Sequence, residues 1–155
     1  MKKLLFTLIL LAALAWIAYP YLHVYRLGMA LKDNDRAAIA ELVDVDAVRN
    51  DQRTRMEQRA NQAIGKGDDP ISKLLRDGAS ILGAAAIDTT VDQTWVRKQL
   101  TDGGKLPDMI TRVDYAFFDA WNSFVVRVGE LGDNPLHFRM AFADWRWRVV
   151  ALYPG

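Results

Sequence analysis

Apolar residues along this chain follow three rhythms in turn. From Leu4 to Tyr25 they run almost continuously, twenty-two residues with no acid or strong base, interrupted by Pro20 and His23. A helix needs about twenty such residues to cross the hydrocarbon layer of a bilayer. The helix is expected to continue to about Leu31, with Pro20 kinking it where it leaves the lipid. Helical spacing then takes over. "LKDNDRAAIAELVD" reads as a helix end, a polar turn and a short helix capped by Asn34 or Asp35, with Ala38, Ile39, Leu42 and Val43 on its apolar face. Asp44 and Asp46 are caps for a third segment, Ala47 to Ile64, whose thin stripe of Val48, Met56, Ala60 and Ile64 predicts a largely solvated helix. Pro70 opens the strongest helix pattern, Ile71, Leu74, Leu75, Gly78, Ile81, Leu82, Ala85 and Ala86. Thr90 is the expected cap of a last helix, Val91 to Leu100, with Gln93 at the capping-box position. Gly65-Lys66-Gly67 and Gly103-Gly104-Lys105 read as helix stops, because they lack the spacing of a phosphate-binding loop.

After Pro107 the period changes to two. Arg112–Asp119 should turn Val113, Tyr115 and Phe117 inward, and Ser123–Glu130 should turn Phe124, Val126 and Val128 the same way. Two further strands carry Leu136, Phe138, Met140 and Phe142, then Trp147, Val149 and Ala151. Short connections make the four an antiparallel meander. Helices first and strands afterwards predict an α+β fold, with the helices packed on one face of a four-stranded sheet. The expected division is an anchor over residues 1–25 and one domain over 26–155, helical to about 101 and sheet from about 112 to 153.

Composition narrows the setting. There is no cysteine, which excludes disulfides, thiol nucleophiles and the acylated cysteine of a lipoprotein. Of twenty basic residues, Lys2 and Lys3 precede the apolar run, leaving eighteen against nineteen acids. That balance argues against nucleic acid as a partner. The basic tip and the apolar run fit a retained signal anchor, with Trp16, Tyr19, Tyr21 and Tyr25 as its membrane-interface belt. The same residues, with Ala13-Leu14-Ala15 as a small-x-small site, fit a cleaved signal and a soluble periplasmic protein. Retention is the preferred reading, because a chain beginning at Trp16 would expose an aromatic cluster that must be buried somewhere. The domain is then expected outside the cytoplasmic membrane.

The run leading into "YPYLHVYRLGMALKDNDRAAIAELVDVDAVR", the segment "TVDQTWVRKQL" and the final "WRWRVVALYP" together resemble a bacterial family, domain of unknown function 2939. More loosely, helices followed by a curved meander look like the nuclear transport factor 2-like or cystatin-like superfold. The resemblance implies a small envelope protein and supplies no activity. Where many members have phenylalanine and proline after a Val-Asp pair, this chain has Val45-Asp46.

Candidate chemistry is sparse. His23 and His137 are the only histidines, so neither a histidine-rich metal site nor a His-based triad can be assembled, and no cofactor or catalytic residue is assigned. A pocket between sheet and helices would be lined by Tyr115, Phe117, Phe124, Phe138 and Trp147. Trp145 and Trp147 read as core, and Asp44 with Arg49 as a cap with a nearby ion pair. Ala79, Gly83 and Ala84–Ala86 give the fourth helix a flat flank for close contact with the sheet. On the outer face, alternation gathers Arg127, Arg139, Arg146 and Arg148 among Phe118, Val125, Val150 and Leu152. That mixed surface is the candidate contact for a protein partner, an anionic envelope component or lipid headgroups. The expected function is a membrane-anchored binding or association module; the alternative is an enzyme with an inner pocket.

Overall fold

The computed structural model describes residues 2–64, 70–101 and 108–154. The two glycine-lysine segments named above as helix stops lie outside them. Among the described residues five α-helices precede the sheet: α1 (Lys2–Lys32), α2 (Arg36–Leu42), α3 (Val45–Ile64), α4 (Pro70–Thr90) and α5 (Gln93–Leu100). A short 3₁₀ turn, Ile110–Arg112, leads into β1 (Val113–Ala120), β2 (Ser123–Val128), β3 (Leu136–Ala143) and β4 (Arg146–Pro154), an antiparallel meander in that spatial order. The fold is α+β, as the change of period predicts.

Local signals act where expected at several helix starts. The Asp35 carboxylate accepts from the backbone N–H groups of Ala37 and Ala38, and Asp44 accepts from Ala47, each satisfying donors that a helix start leaves unpaired. The cap of α5 is Asp92, accepting from Trp95 at 2.7 Å, and not Thr90, which is the last residue of α4. α4 runs one turn further than its apolar pattern requires and displaces the cap by two residues.

α1 has two halves. Leu4–Ala15 is exposed on every side, whereas Val24, Leu27, Ala30 and Leu31 are buried in the core with Phe124, Phe138, Met140, Trp147 and Leu152. The helix runs without a break through Pro20, so residue 25 is not a structural boundary: the core begins near Trp16, whose ring stands edge-on to Phe142 at 4.7 Å. Gly28 lies against the Ile110 side chain, which occupies the space a Cβ would need. The other helices do not share one face. α2 and α3 close the β4 edge: Val43 bridges Val149, Asp44 N–H donates to the Val149 carbonyl at 2.9 Å, and Gln52 Nε2 donates to the Leu152 carbonyl. Cover of this kind blunts the middle of the β4 edge against pairing with another chain. α4 packs on α3 rather than on the sheet, with Gly83 against Met56, so the flat flank meets a helix. Its larger apolar residues Ile71, Leu74, Ile81 and Leu82 are exposed.

Bulges alter the expected faces. β1 slips against β2 between Val113 and Tyr115 and again between Phe118 and Ala120, and β4 slips against β3 between Val149 and Ala151. One extra residue turns every following side chain over. Tyr115 and Phe117 therefore face outward and are exposed, while Ala116 and Phe118 face inward. Leu152, expected outside, is buried opposite Phe138.

Candidate functional site

Among the described residues, the inner face is filled by packed side chains at the position expected for a pocket. Phe124, Phe138 and Trp147 are fully buried, and Trp147 touches Phe118, Phe124 and Phe142 at ring distances between 5.4 and 6.4 Å. Tyr115 and Phe117 have left that face through the first bulge, so the five residues do not converge. Of the polar pair read as a cap with a nearby ion pair, Asp44 is the cap, and Arg49 donates to the Val91 carbonyl at 2.7 Å and to Asp46 at 2.9 Å. Among the described residues, no group of three or more His, Asp or Glu side chains is placed to hold a metal ion.

The outer face does bring most of the candidate arginines together, but each arrives with a carboxylate. Arg127 on β2 meets Asp114 on β1 through two nitrogens, at 3.0 and 2.5 Å, and its guanidinium lies 5.6 Å from the Tyr115 ring. Arg139 on β3 reaches Asp51 of α3 at 3.7 Å; Asp51 also takes Arg55 at 2.7 Å. Arg148 on β4 lies between Asp44 at 3.4 Å and Asp144 at 3.8 Å. Arg139 sits opposite Ala151 and Arg148 opposite Ala141, so the two arginines are diagonal, as a turn on Asp144-Trp145 requires. Arg146 is exposed beside that turn, with no ion pair among the described residues. Val125 lies half-buried on this face, and Val150 is the bulged residue of β4. The expected gathering of positive charge is thus largely neutralised within the chain by partly exposed ion pairs.

His137 belongs to the same face. Its ring stacks on Tyr153 at 5.4 Å, and Arg55 lies 4.0 Å above the other ring. Burial and, second to it, the neighbouring positive charge of Arg127 hold the His137 pKa below its ordinary value of 6.5.

The end of the sheet toward which α1 emerges was not anticipated. Trp16 and Tyr19, assigned to a membrane belt, pack against the core, and the Tyr21 hydroxyl donates to the Ala116 carbonyl at 3.1 Å. Tyr25 is exposed on the helix. The tryptophans that stand free are Trp121, 73% exposed in the β1–β2 turn, and Trp145, 85% exposed in the β3–β4 turn. Asp144 and Trp145 have φ of 51° and 61°, the left-handed geometry that a tight two-residue hairpin needs. Trp145 therefore lies outside the core to which its neighbour Trp147 belongs. Its place in the two-residue gap between strand patterns was the available signal.

By length and composition α1 is one helix able to cross a membrane. No curated protein and no solved structure matches the chain. The family described as "Protein of unknown function (DUF2939)" matches residues 9–99, from the exposed half of α1 to the end of α5, and by this match over more than half its length the chain belongs to that family.

Proposed function

We propose that the protein is a single-pass, membrane-anchored association module of the bacterial envelope, with its domain held against the outer surface of the cytoplasmic membrane. The observation that carries this is the step in exposure along α1. Its first half is apolar on all sides and makes no part of the core, while its second half supplies core residues. A helix exposing Leu4, Leu5, Phe6, Leu8, Ile9, Leu10 and Leu11 to water is unfavourable unless lipid covers it. Because the same helix continues into the core, the domain would be fixed to the bilayer rather than tethered by a linker. Association rather than catalysis is supported by the surface: Ile71, Leu74, Ile81 and Leu82 stand exposed along α4, a row suited to a protein partner. Lys2 and Lys3 ahead of the run favour the amino terminus inside.

A second reading has its own support. The change from exposed to packed residues falls at Trp16, immediately after Ala13-Leu14-Ala15, so cleavage there would leave the core whole and Trp16 against Phe142. The aromatic start that counted against cleavage at the sequence level is packed on the sheet. Intact mass and amino-terminal sequencing of the protein from native membranes separates the two. A full-length chain that stays with membranes through alkaline carbonate washing supports the anchor; a chain beginning at Trp16 refutes it.

A further inference from the structure

We infer that the two hairpin tips, through Trp121 and Trp145, insert into the headgroup layer of the bilayer and form a second membrane contact beside α1. The inference rests on the anchor reading and adds to it a surface of the domain itself.

The geometry comes from the direction of α1. Trp16 meets Phe142 and Trp147, the pair next to the Asp144-Trp145 turn, at 4.7 and 6.2 Å. Tyr21 meets Phe124, near the Trp121 turn, at 4.9 Å. Twelve residues further along α1 than Trp16, Gly28 lies against Ile110, just before β1 begins. The helix thus enters the domain at the end carrying both turns and runs toward the opposite end. In a meander the β1–β2 and β3–β4 turns share one end, so both exposed tryptophans lie where the apolar half of α1 leaves.

Length gives the second argument. Leu4–Ala15 at about 1.5 Å per residue spans roughly 18 Å, about 12 Å short of a hydrocarbon layer of about 30 Å. With Lys2 and Lys3 held at the far headgroups, the shortfall is met by local thinning of the bilayer and by entry of the leading features of the domain, the two turns, into the near interface.

Composition gives the third. A two-residue turn of this type favours Asn-Gly or Asp-Gly, because both central residues have positive φ. Here Asp144 is followed by tryptophan at φ 61°, a bulky residue in a conformation suited to glycine. Folding gains little from it, since the indole is 85% exposed and its ring contact is Phe142 at 6.3 Å. An indole fits the bilayer interface, with apolar ring inward and N–H toward water. Asp144 and Arg146 on either side keep the turn backbone at headgroup level.

The chain contains no cysteine, so single cysteines can report depth. Full-length protein is reconstituted in vesicles of phosphatidylethanolamine and phosphatidylglycerol, with spin labels at Ala120→Cys and Ala143→Cys beside the tips. Leu11→Cys serves as the hydrocarbon control and Leu131→Cys, in the loop at the far end, as the aqueous one. Collisions with oxygen and with a water-soluble nickel complex give the depth of each. The expected result places Ala120 and Ala143 between the two controls, with both moving toward the Leu131 value when Trp121→Ser and Trp145→Gly are combined. The same Trp145→Gly change should raise the unfolding midpoint in detergent, which shows that the lost depth is not lost folding. Tip sites as aqueous as Leu131, with Leu11 in hydrocarbon, would overturn the inference and leave the anchor standing. An aqueous Leu11 would overturn the anchor, and the inference with it.

Discussion

The continuity of α1 from lipid-like exposure to core can be tested with one substitution made twice. Leu14 and Leu27 are leucines of the same helix, thirteen residues apart; Leu14 is 55% exposed and Leu27 is 0% exposed. Truncating a fully buried leucine removes its transfer energy and leaves a cavity, so Leu27→Ala should cost about 2–5 kcal/mol. Leu14→Ala removes no packing within the domain and, alanine being the better helix former, should change folding stability by less than about 0.5 kcal/mol. The assay is urea unfolding of the purified full-length protein in a mild detergent, followed by tryptophan fluorescence. With a urea slope of about 2 kcal/mol per molar, the Leu27 change should lower the midpoint by about 1–2.5 M, and the Leu14 change should leave it in place. Against a total stability of about 5–15 kcal/mol, the loss at Leu27 is a large fraction. Equal, small effects at the two positions would refute the shared-helix arrangement, because α1 would then be an anchor merely attached to a self-sufficient domain.

Two local predictions probe the surroundings of this helix and the outer face. Gly28→Ala should destabilise by about 1–3 kcal/mol, because the new methyl meets the Ile110 side chain, and Ile110→Ala in the same chain should recover part of that loss, a coupling read by a double-mutant cycle. Stability should fall with acidification below about pH 6.5 and flatten below the lowered folded pKa of His137, since the unfolded chain binds that proton more readily than the folded one. Replacing His137 by Asn should make the urea midpoint less dependent on pH between about 7 and 5, and an unchanged slope would refute the assignment.

What the sequence made legible was local, and what it hid was contact between distant segments. The Asp35 and Asp44 caps act within three residues of themselves and were readable from spacing. The bulges were not, because a slip in β1 is defined by its register with β2, and nothing in "RVDYAFFDA" marks it. That single slip exchanged Phe117 for Phe118 as the inward residue. The pairing of Arg139 with Asp51 and of Arg148 with Asp44 joins segments about ninety to a hundred residues apart. A surface read from one strand at a time therefore looked more positive than it is. On α4 the apolar period and the small flank were evident, but the flank was expected on the sheet and meets α3 instead. Gly83 receives Met56, with Ala79 and Ala84 half-buried beside it, while Ala85, Ala86 and the larger Ile71, Leu74, Ile81 and Leu82 are exposed. Periodicity identifies a face without saying which neighbour it meets.

The same limit explains α1 most clearly. Lipid tails and a protein core are both apolar, so a hydropathy run records that water is excluded without recording by what. Leu4–Tyr25 reads as one segment for that reason, although the structure divides it at Trp16 into residues exposed all round and residues packed on the sheet. The interruptions were the better guide. Pro20 and His23 are both buried, and the His23 ring lies beside Tyr19, with Nδ1 3.1 Å from the Tyr19 carbonyl. Both residues are unfavourable in a simple lipid-facing span and acceptable where a sheet covers one side of the helix. Since Leu4–Ala15 makes no part of that covered side, the domain should fold alike with or without it. Keeping or losing the apolar run is then independent of the stability of the fold beneath, and a chain cut after Ala13-Leu14-Ala15 should unfold at the same urea midpoint as the full-length one.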